Sequence, residues 1–270
     1  MELIGQGMEG AVYDLGDGTV RKVWFDRRPE DVLPLKAFLD ELPALPFRTP
    51  RIRDVSVVDG QTVSVEDKLT GVPLHQAGLP EEQALDAFVA VVEALRTTTP
   101  GPAARALPVV NEPFYQQSWG VNLGLLVKRR SEVSRQYLER DVPGFAQLTD
   151  HVVRELEQLE LEQLSVVHGD ICPPNVLMDG SRVAAVLDWG FLSTAGDNTF
   201  EASLAAGFFD MYGPDAQRLD NLLLDRFEAL GHDRERMRLY RHAYAIITAT
   251  IYDEQAQDGH YQWCVNQLTR

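Results

Sequence analysis

The stretch His168-Gly169-Asp170-Ile171-Cys172-Pro173-Pro174-Asn175, followed after an apolar run by Asp188-Trp189-Gly190, concentrates hard oxygen donors within a few turns of chain. Asp170 offers a carboxylate that can accept a hydroxyl proton and aim the oxygen at an electrophile. Asn175 and Asp188 offer an amide and a carboxylate oxygen of the kind that ligate Mg²⁺. Phosphoryl transfer uses such parts, because it needs an aligned nucleophile and neutralised charge more than covalent help. The loop from Asp170 to Asn175 lets one side chain face a substrate and another a metal. His168 reads as a loop-holding hydrogen bonder, Cys172 as a filler and Trp189 as a packing residue.

These residues need a scaffold, and the chain start supplies part of it. Residues 5–12, Gly-Gln-Gly-Met-Glu-Gly-Ala-Val, form G-x-G-x-x-G-x-V. A dinucleotide fingerprint needs a full buried strand before the glycines and a helix after them. Only four residues precede Gly5, and two strand-like runs follow, joined by Gly16-Asp17-Gly18. A glycine loop inside a β-hairpin is the kinase arrangement. Lys22, in the third strand-like segment, is then placed to reach nucleotide phosphates. A helix over 29–42 should offer it a carboxylate, with Glu30, Asp31, Asp40 and Glu41 as competing candidates. Two further strands, 51–58 and 61–66, lead to a hinge at Glu66 to Lys68. Val176-Leu177 and 183–187 read as a strand pair joined by Asp179-Gly180, which would set Asp188 beside Asn175.

Through its H-G-D-x-x-x-x-N and D-W-G stretches, the sequence resembles the aminoglycoside phosphotransferase and choline kinase-like family from the glycine loop to at least Ala205. The resemblance implies an α+β, protein-kinase-like two-lobed fold: a small N-terminal antiparallel β lobe with one helix and a larger, mainly helical C-terminal lobe. It implies ATP or GTP as co-substrate, Mg²⁺, and transfer of the γ-phosphate to a small-molecule hydroxyl. The acceptor would most often be an aminoglycoside or related antibiotic, with metabolic alcohols such as choline, homoserine or sugars as the alternative. On this reading Asp170 is the catalytic base and Asn175 and Asp188 the metal ligands. Gly5, Gly7, Gly10, Val12, Lys22, Glu66 and Lys68 would bind nucleotide. His168 and Glu201 would support the loop. Residues 196–205 depart from the family's G-D-P-x-x-D-L-A, with Asn198 for Pro and Glu201 for Asp. A protein-kinase acceptor is disfavoured by the missing A-P-E segment. A non-catalytic scaffold is disfavoured by the presence of Lys22, Asp170, Asn175 and Asp188 together. Substrate contacts are expected among Asp197, Asp210, Asp253, Glu254 and Trp263.

The division suggested is residues 1–70 for the nucleotide lobe and 71–270 for the catalytic and substrate lobe. Helical periodicity marks 81–96, 117–139, 149–161, 221–230 and 234–251. The segment 107–122, with Phe114, Tyr115 and Trp119, reads as a lid or as packing. Net charge is −16, spread as −4 over the first 70 residues and −12 over the rest. That acidity argues against a nucleic-acid partner, and its even spread makes it weak support for a cationic substrate. No apolar run or signal segment directs the chain to a membrane or export, so the cytoplasm is expected. Cys172 and Cys264 are far apart, and a disulfide is not expected. Monomer and homodimer stay open.

Overall fold

The computed structural model describes every residue except Gln116. Strand β1 (Glu2–Gln6) is exposed throughout and pairs antiparallel with β2 (Gly10–Asp14), the hairpin being closed by Gly7 N–H to the Gly10 carbonyl at 3.0 Å. Strand β3 (Thr19–Trp24) follows a turn in which Gly16 and Gly18 take φ of +81° and +85°, values that favour glycine. Asp14 and Asp17 accept turn N–H groups at 2.8 and 3.0 Å. After helix α1 (Pro29–Asp40), strands β4 (Ile52–Val58) and β5 (Gln61–Asp67) join through Asp59-Gly60, both with positive φ. The sheet is antiparallel throughout, in the order β1-β2-β3-β5-β4.

Gly10 is the tight point of this sheet. A Cβ there would lie 2.3 Å from the Val23 carbonyl oxygen, so only glycine lets the hairpin lie against β3. Gly10→Ala should therefore lower stability by about 1–3 kcal/mol through forced backbone shift, read as a lower melting temperature.

The rest is mostly helical: α2 (Glu81–Arg96), α3 (Trp119–Asp141), α4 (Phe145–Glu157), α5 (Asn198–Phe208), α6 (Ala216–Ala229), α7 (Arg234–Thr248) and α8 (Gly259–Leu268). Helix α2 packs by its Leu85, Phe88, Val92 and Leu95 stripe. Helix α5 is buried on all sides, so it has no polar face and no amphipathic period. That is why its pattern does not announce a helix.

Two small sheets carry the loops of interest. Strands β6 (Val72–Pro73), β8 (Val176–Asp179) and β9 (Arg182–Val186) form one; β7 (Ser165–Val167) and β10 (Thr194–Gly196) form the other. One apolar cluster runs from Trp24, Phe38 and Ile52 to Leu74, Phe88, Val166 and Trp189, crossing residue 70. A second lies among α3, α4, α7 and α8. Phe114 and Trp119 are buried, and Trp119 Nε1–H donates to the Tyr240 hydroxyl at 3.0 Å. Segment 107–122 thus packs the helices, with Gln116 outside the described residues. Among the described residues no helix is long and apolar enough to cross a membrane.

Candidate active site

Three bonds lace the loop after β7 to the loop after β9. His168 Nε2–H donates to the Leu187 carbonyl at 2.8 Å, Leu187 N–H to the Asn175 carbonyl at 2.8 Å, and Ser193 Oγ–H to the His168 carbonyl at 3.0 Å. Ser193 Oγ also accepts Gly190 N–H at 2.9 Å. His168 Nδ1 accepts Asp170 N–H at 3.1 Å, so both ring nitrogens are committed and the tautomer is set. Burial pushes His168 down to about 4. Its ring is neutral and lies 4.4 Å from that of Trp189. Gly169, at φ +80°, has no room for a Cβ, which would lie 2.3 Å from Leu192 Cβ.

Glu201, fully buried in α5, accepts the backbone N–H of His168 at 2.5 Å and of Gly169 at 2.9 Å through one oxygen. Its other oxygen has no partner among the described residues. Burial pushes Glu201 up to about 7 despite those two bonds. The carboxylate at 201 thus fixes the two residues that precede Asp170.

Asp170 points where these constraints aim it. Asn175 Nδ2 donates to its carbonyl at 3.0 Å and to its carboxylate at 3.2 Å. That leaves Asn175 Oδ1 as the amide's acceptor. Burial, then the charge of Asp188, pushes Asp170 up to about 7, with a smaller contribution from Glu9. Asp188 holds φ +56°, a backbone state uncommon outside glycine. It is exposed and has no hydrogen bond or ion pair among the described residues. Two carboxylates whose charges oppose each other, with no counter-ion among the described residues and with the Asn175 amide oxygen near Asp170, suit a hard cation. Among the described residues no cluster of three or more His, Cys, Asp or Glu could hold a metal alone. Mg²⁺ usually binds through one or two protein carboxylates with phosphates and water completing its shell, and the donors here fit that habit.

On the sheet side, Gly5 and Gly7 have open space where a Cβ would stand. Val12 and Lys22 face each other in the register of β2 and β3. Lys22 Nζ lies 3.9 Å from the Trp24 ring centroid and 3.7 Å from Glu9 Oε2. The carboxylate expected from α1 is not its partner. Glu30 pairs with Arg28 at 3.1 Å and Asp31 caps Arg28 N–H at 2.9 Å. Asp40 pairs with Lys36 at 2.5 Å, and Glu41 accepts Ala103 N–H at 2.7 Å. Each is satisfied locally, so the glycine loop supplies the counter-charge instead. Lys68 is bound to Asp14, and Glu66 accepts Ser64 Oγ–H at 2.6 Å, so both side chains are engaged within the sheet.

The residues expected on the acceptor side have partners within the fold. Asp197 caps α5 and is held by Tyr240 at 2.8 Å and Arg236 at 3.3 Å. Trp263 is buried against Phe208, Tyr244 and His260. Both are helix-packing residues, because Gly-Asp before a helix and a Trp on an apolar face serve structure as readily as a ligand. Asp210 accepts Asp215 N–H at 3.0 Å, and Asp253 accepts N–H groups of Gln255 and Gln257 at 2.9 and 2.8 Å. Glu254 is exposed.

Sequence reading missed two tyrosines, Tyr212 and Tyr252, which are 65% and 43% exposed. Partial burial, with negative charges including those of Asp258 and Asp170, pushes Tyr212 up to about 12. Burial and the Asp170 charge push Tyr252 up as well. His260 joins the pair: Tyr212 O–H meets Nδ1 at 3.2 Å and the Tyr252 ring lies 4.7 Å away. The sequence signals only Tyr252, which lies in residues 243–269, a stretch with Asp253, Glu254 and Asp258 and no lysine or arginine. Cys172 sits half-buried beside Asp170, and burial pushes its thiol up, away from reactivity.

A glycine-loop hairpin with its lysine, set with a braced His-Gly-Asp loop and a metal-type Asp-Trp-Gly turn, defines a phosphotransferase of the protein-kinase-like class. The chain belongs to the APH phosphotransferase enzyme family, which matches residues 1–240. It is 27% identical over 215 residues to an aminoglycoside 3'-phosphotransferase of Streptomyces ribosidificus, covering 75% of this chain and 76% of that one. A shorter stretch of 102 residues is 36% identical to the aminoglycoside 3'-phosphotransferase of Streptomyces fradiae, 34% of this chain and only 36% of that relative's length. In fold it is similar to a thermostable mutant of aminoglycoside phosphotransferase APH(4)-Ia in complex with ADP and hygromycin B, at TM-score 0.75 and 17% identity, covering 99% and 91% of the chains.

Proposed function

We propose that this enzyme transfers the γ-phosphate of ATP or GTP to a hydroxyl of an aminoglycoside or related antibiotic. The observation that carries the reading is Asp170, a carboxylate held by Asn175 at 3.2 Å and pushed up to about 7 by burial and by the charge of Asp188. Residues 1–70 then serve as the nucleotide lobe and 71–270 as the catalytic lobe. Asp170 takes the acceptor's hydroxyl proton as that oxygen bonds to the γ-phosphorus. The bond from phosphorus to the bridging oxygen breaks and the nucleoside diphosphate leaves. Lys22 and the open backbone at Gly5 and Gly7 receive the phosphates. Asn175 and Asp188 would hold Mg²⁺, which when bound neutralises phosphate charge. Tyr212 and Tyr252 offer ring faces to the C–H face of a sugar, while Glu254 and Asp258 supply negative charge for ammonium groups.

The test is transfer of labelled γ-phosphate from ATP and GTP across aminoglycosides, macrolides, peptide antibiotics and metabolic alcohols. Transfer to at least one aminoglycoside is expected. Transfer to a metabolic alcohol alone would sink the antibiotic reading while leaving phosphotransfer intact.

A further inference from the structure

Two cations converge on one carboxylate under the glycine loop. Glu9 lies between Gly7 and Gly10, and its carbonyl accepts Phe25 N–H at 3.0 Å, pinning the loop to the end of β3. That pin brings Arg27 within reach: its Nη2 is 2.5 Å from Glu9 Oε1, while Lys22 Nζ is 3.7 Å from Oε2. Among the described residues Glu9 is the only ion-pair partner of either cation. Lys22 and Arg27 side chains are 14% and 21% exposed, so both are partly withdrawn from water. Trp24 forms a rigid wall below Lys22, its Nε1–H donating to Ser64 Oγ at 2.9 Å.

The direction of this cluster matters. Glu9, Trp24, Arg27, Asp31 and Leu35 share a small cavity, about 10 Å³ in volume, with Gly190, the residue closing the Asp188 turn. A glycine loop with a lysine and an arginine beside it is where nucleotide phosphates are expected on the phosphotransferase reading, on which this inference rests. Phosphate oxygens bind guanidinium more strongly than a single carboxylate does when several charges are present, and Arg suits them by its forked donors.

We propose that Arg27 is a second phosphate-binding cation beside Lys22, and that Glu9 is a resident carboxylate that holds both until nucleotide phosphates displace it. Glu9 is then a competitor of the substrate, not a contributor to its binding. Its removal and the removal of Arg27 have opposite signs, which a merely structural ion pair would not show.

The experiment is calorimetric binding of MgATP, MgADP and adenosine to the full chain and to Glu9→Gln, Arg27→Gln and Arg27→Lys, with melting temperatures to verify folding. Glu9→Gln should tighten MgATP by about fivefold, the size of one partly exposed ion pair. Arg27→Gln should weaken it by about tenfold or more, as loss of a charge-assisted bond does, and Arg27→Lys should recover part of that loss. Adenosine, which has no phosphate, should bind all four proteins alike. Shifts of the same sign in Glu9→Gln and Arg27→Gln overturn the proposal, as do shifts that adenosine reproduces. If the unaltered chain binds adenosine but gains nothing from phosphates, the nucleotide-phosphate reading itself falls, and this inference with it.

Discussion

Asp170→Asn is expected to bind nucleotide as the unaltered chain does and to lose turnover by about 10²–10⁴-fold, the range of a general base. The contrast follows from which atoms of Asp170 do what. The bonds that position the residue use its backbone: its N–H donates to His168 Nδ1 at 3.1 Å and its carbonyl accepts Asn175 Nδ2 at 3.0 Å. An asparagine keeps both, and its amide oxygen can still accept Asn175 Nδ2. It cannot take a proton from an alcohol. It also removes the charge that Asp188 and Glu9 oppose, so the variant should melt no lower than the parent. Melting temperature with and without Mg²⁺ and ATP, and single-turnover transfer, measure the two halves. Turnover equal to the parent's would remove Asp170 from the base role.

The residues proposed for phosphotransfer are legible because they occupy short contiguous stretches whose spacing suits that chemistry. Asp170, Asn175 and Asp188 stand at set spacings within them, while the bonds from Glu201 and Ser193 that hold His168 come from outside. Lys22's partner was not legible. Four acidic residues of α1 competed on sequence position, and local caps and neighbours satisfied all of them. Ion pairing is decided by tertiary proximity, and Glu9 was hidden inside a motif read only for its glycines. Acceptor contacts are hard to read from sequence for a related reason. A carboxylate that caps a helix, as Asp197 does, and one that meets an ammonium group look alike in sequence. Tyr212 and Tyr252 come from different segments and meet only through His260. Ser193, which ties the two functional loops, carries no signal beyond being a serine.

Glu201 makes the stability of the folded chain fall as pH rises through neutrality. In the fold it is pushed from 4.5 up to about 7 by burial, whereas the unfolded chain exposes it near its ordinary value. Between those two pH values the folded state keeps a proton that the unfolded state has released, so its contribution is fully present below 4.5 and lost through about 7. The whole shift corresponds to about 3 kcal/mol, and the part between about pH 5.5 and 8 to about 2 kcal/mol. Buried histidines act in the opposite sense: His168, His242 and His260 are pushed down to about 4, so their contribution grows as pH rises toward their ordinary range. A Glu201→Gln variant shares those histidines, and the difference between the two proteins isolates the carboxyl. Its amide oxygen can accept the His168 and Gly169 N–H groups, while its NH₂ group enters the place of the unpartnered oxygen. That exchange carries a penalty at every pH and no pH slope. Denaturant midpoints across that pH range should therefore show the parent losing about 2 kcal/mol more than the variant. Parallel curves would mean that Glu201 stays ionised in the fold, with its second oxygen met by solvent rather than left dry.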